Sequence, residues 1–332
     1  MKFLITGGAG FIGSHLALDI AKTGAEVCVV DNFNDYYSPS LKRLRAAQFN
    51  EFKNIELVEM DITQKSQFEN LMGKFQPDTV FHLAAQAGVR LKISEYDNYV
   101  SSNLVGFSNV LLAAIEHSVP NLLYASSSSI YGNALEIPFS EEKTTPSPIS
   151  FYGATKLCNE ILAASAIRNS GTKTRGLRFF TAYGPMGRPD MAYFRLVTCA
   201  ITGEKFNLFG SSTVRRDFTY IDDIVRATKA LSDELDLRMP GYSDVVNVGG
   251  GTPLALNDLI EEVSSLLGTQ IEINEIAKNS NDVELTFADS SRLESLIGIK
   301  PETPLAVGVG KFVNWAMDGQ IQGQLSNWTK SV

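Results

Sequence analysis

The run Phe3-Leu4-Ile5-Thr6-Gly7-Gly8-Ala9-Gly10-Phe11-Ile12-Gly13 constrains this chain more than any other stretch. It joins an apolar strand to a helix through a glycine-rich turn and satisfies two spacings, Gly8-x-Gly10-x-x-Gly13 and Gly7-x-x-Gly10-x-x-Gly13. Such a turn suits a dinucleotide for physical reasons. Gly7 or Gly8 permits the tight turn, Gly10 lets the backbone approach a pyrophosphate, and Gly13 lets the helix pack on the strand, with Phe11 and Ile12 at its positive N-terminus. A lone motif of this kind can be a merely structural turn, but here Asp31 also ends the next predicted strand, where its carboxylate can accept hydrogen bonds from adenosine ribose hydroxyls. The same charge repels a 2′-phosphate, and Asn32 and Phe33 follow with no adjacent arginine, so NAD is favoured over NADP. Lys42 and Arg43 are expected to coat a helix. Asp61-Ile62, after the third predicted strand, is placed to hold the adenine edge, with a surface turn as the alternative.

Short β-rich runs alternate with longer helical ones through the first half of the chain. The strands are expected at 2–6, 26–31, 55–59, 79–83, 121–126 and 174–179, and the helices at 11–23, 41–49, 66–75, 98–117 and 150–169. This alternation predicts an α/β fold, a doubly wound parallel sheet of Rossmann type with helices on both faces. Beyond residue 179 the pattern shifts to loops rich in glycine and proline, with helices expected near 191–202, 222–234 and 258–267. The expectation is a nucleotide-binding domain over 1–179 and a smaller C-terminal α/β substrate domain over 180–332. A strand at 245–248, within a segment near 217–250, is expected to return to the main sheet, so the two are interleaved.

Among 332 residues, 44% are hydrophobic and 20% charged, enough to bury a substantial core. The formal charge of −8, with Lys and Arg scattered, excludes a basic field for nucleic acid. Cys28, Cys158 and Cys199 are far apart and outside any ligand spacing, which predicts reduced, mostly buried thiols and a cytoplasmic location. His15, His82 and His117 stand isolated, so no metal is expected. The apolar run at the N-terminus is too short for a signal peptide or a membrane span, and no membrane partner is expected.

Tyr152-Gly153-Ala154-Thr155-Lys156 falls in a predicted helix, so Tyr152 and Lys156 share a face one turn apart. A free tyrosine titrates near 10, but a neighbouring ammonium favours the phenolate and lets Tyr152 take a proton from a sugar hydroxyl. Lys156 would also hold the cofactor ribose. Ser127, in the run Ser126–Ser129 just past a predicted strand, would share the hydroxyl proton with Tyr152. A capping loop is the bland reading of those serines.

These residues, with His82-Leu83-Ala84-Ala85-Gln86-Ala87-Gly88-Val89-Arg90 and Arg216-Asp217-Phe218-Thr219-Tyr220-Ile221-Asp222-Asp223, make the chain resemble the extended short-chain dehydrogenase/reductase superfamily of nucleotide-sugar epimerases and dehydratases nearly end to end. Within it, Asp31-Asn32-Phe33-Asn34-Asp35-Tyr36-Tyr37 and the stretch from Leu177 to Ala192 look like the UDP-glucuronate 4-epimerases. Met186 departs from a tryptophan expected there, and Asn279 lies near where related enzymes carry a diphosphate-binding arginine. The resemblance also separates reactions. Dehydratases of the superfamily carry Thr-Asp-Glu, and UDP-xylose synthases Thr-Ser-Glu, where this chain has Ser127-Ser128-Ser129. Hydroxyls in place of carboxylates leave hydride removal and return, which is epimerisation.

The resemblance implies tightly bound NAD, held also by Leu83, Ala84 and Ala85, and a UDP-sugar substrate oxidised at C4 through Tyr152, turned over as the 4-keto sugar and reduced on its other face. Ser128, Ser129, Thr181 and Arg188 are expected to fix a uronate carboxylate, Arg216 the diphosphate and Asp282 the nucleotide ribose. For Arg216, a solvated salt bridge to Asp217 or Asp222 is the plain alternative. The resemblance further implies a homodimer formed through the helices near 98–117 and 150–169. A 4-epimerase of neutral UDP-sugars shares every catalytic residue, and a noncatalytic dinucleotide sensor would keep the fold without needing Ser127, Tyr152 and Lys156 together.

Overall fold

The computed structural model describes residues 1–277 and 283–330. Its centre is a seven-stranded sheet, entirely parallel, whose strands alternate with helices. In chain order these are β1 (Lys2–Thr6), α1 (Phe11–Ala21), β2 (Glu26–Asp31), α2 (Pro39–Ala47), β3 (Ile55–Glu59), α3 (Lys65–Phe75), β4 (Thr79–His82), α4 (Tyr96–Tyr99), α5 (Phe107–Glu116), β5 (Asn121–Ser127), α6 (Phe151–Ala166) and β6 (Lys173–Phe179). The chain continues through β7 (Thr181–Tyr183), α7 (Ala192–Thr202), β8 (Phe206–Phe209), β9 (Arg215–Tyr220), α8 (Ile221–Asp236), β10 (Ser243–Val248), β11 (Pro253–Ala255), α9 (Leu256–Leu267) and β12 (Ile273–Ile276). The main sheet has the order β10-β6-β5-β4-β1-β2-β3.

The sheet is buried on both faces. Phe3 and Ile5 of β1 join the core on one side of the sheet with Val27, Val29, Phe81 and Leu123, while Leu4 joins Cys28, Val30, Val80 and Leu122 on the other. Alternate residues of nearly continuous apolar strands therefore serve two helix layers, which a parallel sheet requires. β3, at one edge, exposes Glu56 and Glu59, whose charge discourages further strand pairing. The other edge is β10, which returns from the second half of the chain to pair with β6 in register Ser243 with Thr174 through Val248 with Phe179. Between β1 and β4 the chain direction across the sheet reverses, and the loops after these two strands open a crevice there.

The second half also contains elements that sequence periodicity did not resolve. β11, β9 and β7 form a small three-stranded sheet, and β12 pairs with β8. The stretch at 98–117, read as one helix, holds a π-helical segment, Val100–Gly106, between α4 and α5. Of the three thiols, only Cys28 is buried; Cys199 is half-buried and Cys158 is exposed on α6, against the expectation that most would be enclosed. Among the described residues no helix is long and apolar enough to cross a membrane.

Candidate active site

The glycine turn after β1 leaves no room for side chains. Gly7 has a φ of +69°, and a Cβ on it would lie 2.5 Å from the Ala84 nitrogen, so Gly7 rather than Gly8 makes the left-handed turn. A Cβ on Gly13 would sit 2.4 Å from the Gly7 carbonyl oxygen. α1 starts at Phe11 with no side-chain cap, which leaves its first backbone N–H groups and dipole for an anion. A cavity of about 1220 Å³ opens over this turn, above the roughly 300–1,000 Å³ usual for one small ligand and consistent with two nucleotides end to end. The uncapped turn and this volume fit a dinucleotide.

Gly7, Gly10, Phe11, Ile12 and Gly13 border one end of the cavity, with Asp31, Asn32, Asp61 and Ile62 beside them and Leu83, Ala84 and Ala85 closing in from β4. Asp31 is buried, its Oδ2 accepting the Ala9 N–H at 3.0 Å and its Oδ1 the Phe33 N–H at 2.8 Å. The Asn32 amide donates to Asp61 at 2.8 Å, and Thr63 donates to the other Asp61 oxygen through both N–H and hydroxyl. Burial raises the Asp61 carboxyl, but these hydrogen bonds outweigh it and hold the group below its usual range. Lys42 does not coat the helix surface: it is buried, borders the cavity and donates from Nζ to the Asn34 carbonyl at 2.7 Å. The same Nζ donates to the Asn34 side-chain oxygen at 2.6 Å. Burial lowers it to about 8.

At the other end, Ser150 caps α6 by accepting the Gly153 N–H at 3.0 Å, which fixes where Tyr152 and Lys156 emerge. Gly153 lets the helix touch the serine loop, since a Cβ there would be 2.6 Å from the Ser129 carbonyl. Ser127 ends β5, its Oγ accepts the Ser129 N–H at 3.1 Å, and it borders the same cavity as Tyr152. Lys156 is 1% exposed, its Nζ donates to the Ala125 carbonyl at 2.8 Å, and the ammonium stands 5.8 Å from the centre of the Tyr152 ring. Burial drives Lys156 down to about 8. Burial also raises the Tyr152 hydroxyl; the Arg188 charge and the nearby Ser127 hydroxyl oppose it. The protein charge opposing that rise is that of Arg188, while the head of the helical neighbour Lys156 turns to a main-chain carbonyl.

Ser128, Ser129, Thr181, Arg188 and Arg216 border the same cavity as Ser127, Tyr152 and Lys156, so the two halves of the chain meet around one space. Arg188 lies half-buried in it, forked on Asp190. Arg216 makes no bridge to Asp217 or Asp222; its guanidinium donates to the carbonyls of Val283 at 2.7 Å, Arg215 at 3.0 Å and Glu284 at 3.2 Å. Asp217 instead accepts the N–H groups of Gly250, Gly251 and Ala288. Asp282 and Asn279 lie outside the described residues. Among the described residues no group of three or more His, Cys, Asp or Glu is disposed to hold a metal ion.

Sequence reasoning missed the residues that hold these elements together. Arg45, fully buried, donates to the carbonyls of Ala9 at 3.2 Å, Met186 at 2.9 Å and Gly187 at 2.9 Å and to the Tyr37 hydroxyl at 2.6 Å, fastening the glycine turn to the loop that carries Arg188. Met186 itself takes a left-handed backbone, φ +57°. In the π segment, Asn103 accepts the Gln86 N–H at 2.8 Å and donates to Gln86 O at 3.1 Å and Thr155 Oγ1 at 3.0 Å, tying the loop after β4 to α6. Asn103 follows Ser101 and Ser102 in the sequence, so nothing in the local pattern singled it out, but π segments recur at functional sites.

A family model for NAD dependent epimerase/dehydratases matches residues 3–249. The chain belongs to the NAD dependent epimerase/dehydratase family. It is 41% identical over 325 residues to UDP-glucuronate 4-epimerase 4 of Arabidopsis thaliana, a match covering 94% of this chain and 74% of that protein. It is 39% identical over 331 residues to protein CapI of Staphylococcus aureus, covering 96% and 99%. The structure of a UDP-glucuronic acid 4-epimerase from Bacillus cereus in complex with UDP-glucuronic acid and NAD superposes with a TM-score of 0.88 at 31% identity, covering 95% of this chain and 98% of that one. This epimerase/dehydratase relationship agrees with the parallel sheet and with the glycine turn at its switch point.

Proposed function

We propose that this family member is an NAD-dependent 4-epimerase that interconverts UDP-glucuronate and UDP-galacturonate. The observation that carries the reading is the meeting of Tyr152 and Ser127 with a loop of hydroxyls and with Arg188 in the cavity that begins at the glycine turn. The Bacillus cereus relative, by name an epimerase of UDP-glucuronic acid and solved with it and NAD, supports the substrate.

NAD, when bound, supplies reversible hydride acceptance. Gly7, Gly10, Phe11, Ile12 and Gly13 would cradle its pyrophosphate, Asp31 and Asn32 its ribose, Asp61 and Ile62 its adenine, and Leu83, Ala84 and Ala85 its inner flank. Lys156 holds the second ribose. Tyr152 takes the proton of the C4 hydroxyl and later returns it, with Ser127 sharing that proton; positioned acid–base groups of this kind contribute about 10²–10⁴-fold. The serine loop offers no carboxylate for elimination. Once C4 is oxidised, a uronate is a β-keto acid and loses carbon dioxide if its carboxylate bond aligns with the carbonyl π system. Ser128, Ser129, Thr181 and Arg188 hold the carboxylate out of that alignment through charge-assisted hydrogen bonds. Arg216 binds the diphosphate and Asp282 the nucleotide ribose.

In this reading residues 1–179 carry the cofactor and 180–332 the nucleotide sugar, interleaved through the returning strand β10. A homodimer is supported by apolar side chains left exposed on the two helices expected to pair, Val105 and Leu112 on one and Ile161 and Leu162 on the other. A cytoplasmic location is supported by three free cysteines.

The test is incubation of the NAD-loaded protein with UDP-glucuronate and, separately, UDP-glucose, followed by chromatography of the nucleotides. UDP-galacturonate as the product of the first supports the proposal. Conversion of UDP-glucose alone assigns a neutral-sugar epimerase, and UDP-xylose as the main product overturns the epimerase reading.

A further inference from the structure

The substrate end of the cavity contains a carboxylate that none of these steps uses. Asp190 receives Arg188 through both oxygens: Nε donates to Oδ1 at 3.0 Å and Nη2 donates to Oδ2. The same Oδ2 accepts the Tyr36 hydroxyl at 3.2 Å, and the guanidinium stands 6.0 Å from the centre of the Tyr36 ring. Tyr36 reaches this position because residue 88 is glycine. A Cβ there would lie 2.1 Å from the Tyr36 hydroxyl oxygen, and the backbone has a φ of +85° that disfavours any other residue. The Gly88 carbonyl in turn accepts the Tyr99 hydroxyl at 2.6 Å. Asp190 is thus braced from the β2–α2 loop, and Tyr36, Arg188 and Asp190 all border the cavity.

An arginine forks onto a carboxylate through one edge of its planar head. Asp190 takes the Nε/Nη2 edge and leaves Nη1 outside that ion pair. A second carboxylate arriving in the cavity meets a guanidinium whose charge is already balanced. It can accept a hydrogen bond from Nη1 but gains little net Coulomb attraction. This matters because exchanging the faces of a 4-keto sugar requires the ring to leave one orientation and settle in another. A full cationic clamp would bind the resting substrate more tightly and slow that exchange, lowering KM and kcat together.

We propose that Asp190, braced by Tyr36, is a specificity-determining positioning residue: it aims Arg188 at the carboxylate of a uronate substrate and balances its charge, so that the carboxylate is read without being locked. The inference rests on the uronate substrate proposed above.

The experiment measures kcat and KM for UDP-glucuronate, and the inhibition constant of UDP-glucose, for the NAD-loaded wild type, Asp190→Asn and Tyr36→Phe. In Asp190→Asn, KM for UDP-glucuronate is expected to fall about tenfold and kcat about tenfold, while the UDP-glucose constant stays within about twofold, because only the uronate carries the extra charge. Tyr36→Phe is expected to move both constants the same way by about threefold, and it decides the matter if the Asp190 variant does not fold. A displaced or misfolded loop would raise KM. A KM for UDP-glucuronate that rises or holds, or a UDP-glucose constant that moves in step with it, overturns the proposal. If the wild type does not convert UDP-glucuronate, the functional reading fails on that control, and equilibrium dialysis of UDP-glucuronate against wild type and Asp190→Asn still decides the role of Asp190. The expected result is about tenfold tighter binding to the variant; equal or weaker binding overturns it.

Discussion

Tyr152 and Lys156 lie one turn apart on α6, the ammonium 5.8 Å from the centre of the phenol ring and tied to the Ala125 carbonyl at the end of the adjoining strand. The helix and the sheet thus fix the two groups independently of any ligand. Tyr152→Phe removes the proton acceptor but none of the packing, so turnover is expected to fall at least about 10³-fold, with NAD still bound and the melting temperature within about 2 °C of wild type. Steady-state rates and the absorbance of bound cofactor check this. Retained activity would remove Tyr152 from the mechanism.

The glycine turn gives a steric prediction. A methyl group on Gly13 would fall 2.4 Å from the Gly7 carbonyl oxygen, so Gly13→Ala must push α1 away from the turn. The expected outcome is loss of copurifying NAD and of activity, with the sheet intact by circular dichroism.

Glu160 follows Lys156 by one more turn and faces the sheet. Its carboxylate accepts Arg178 Nε at 2.9 Å and Nη2 at 2.8 Å, together with the Ser126 hydroxyl at 2.5 Å, while Arg178 Nη1 donates to the Tyr131 hydroxyl at 2.7 Å. Both charges are buried. Removing one partner strands the other, so Glu160→Ala is expected to cost about 3–5 kcal/mol in denaturant unfolding. The pair ties α6 to β6, and the Ser126 hydrogen bond ties α6 to β5, so residual activity should fall as well.

His82 is 1% exposed beneath the cavity, with Nδ1 2.7 Å from the Thr6 hydroxyl oxygen. Burial, helped by the Lys156 charge, drives it down from the usual 6.5 to about 3. The unfolded chain therefore takes up a proton as pH falls through 6.5 while the folded chain does not until about 3, so stability falls with acid across that window. The slope is roughly 1.4 kcal/mol per pH unit from this group. Thermal melts should show His82→Gln less stable than wild type at pH 7.5, with the gap narrowed by about 2–3 kcal/mol at pH 4.5. A gap independent of pH would mean that His82 titrates in the folded protein as it does in the unfolded chain.

The parallel core was legible in the sequence because its short β-rich strands alternate with longer helical runs. β1, β2 and β3 begin and end where the pattern of residues 2–6, 26–31 and 55–59 places them. The site residues named from motifs come from both halves of the chain, and those described line one cavity. What stayed hidden depends on contacts between distant segments. Arg45 reads as an ordinary helical cation until the loop at Met186 and Gly187 folds over it. Arg175 sits fully buried in β6 because Asp244 and Glu234, some 60 to 70 residues later in the chain, meet it there. The small strands β7, β8, β11 and β12, of three or four residues each, are too short for alternation to be distinguished from loop composition.

The central claim is that hydrogen leaves C4 and returns to the same carbon inside one closed site, with Tyr152 handling the hydroxyl proton. It is tested most directly by giving the NAD-loaded enzyme UDP-glucuronate carrying deuterium at C4, in ordinary water, and analysing the nucleotide sugars by mass spectrometry and proton NMR. The account predicts UDP-galacturonate with deuterium retained at C4 and no decarboxylated product. Loss of the label to solvent, or a product that has lost its carboxylate, would contradict it.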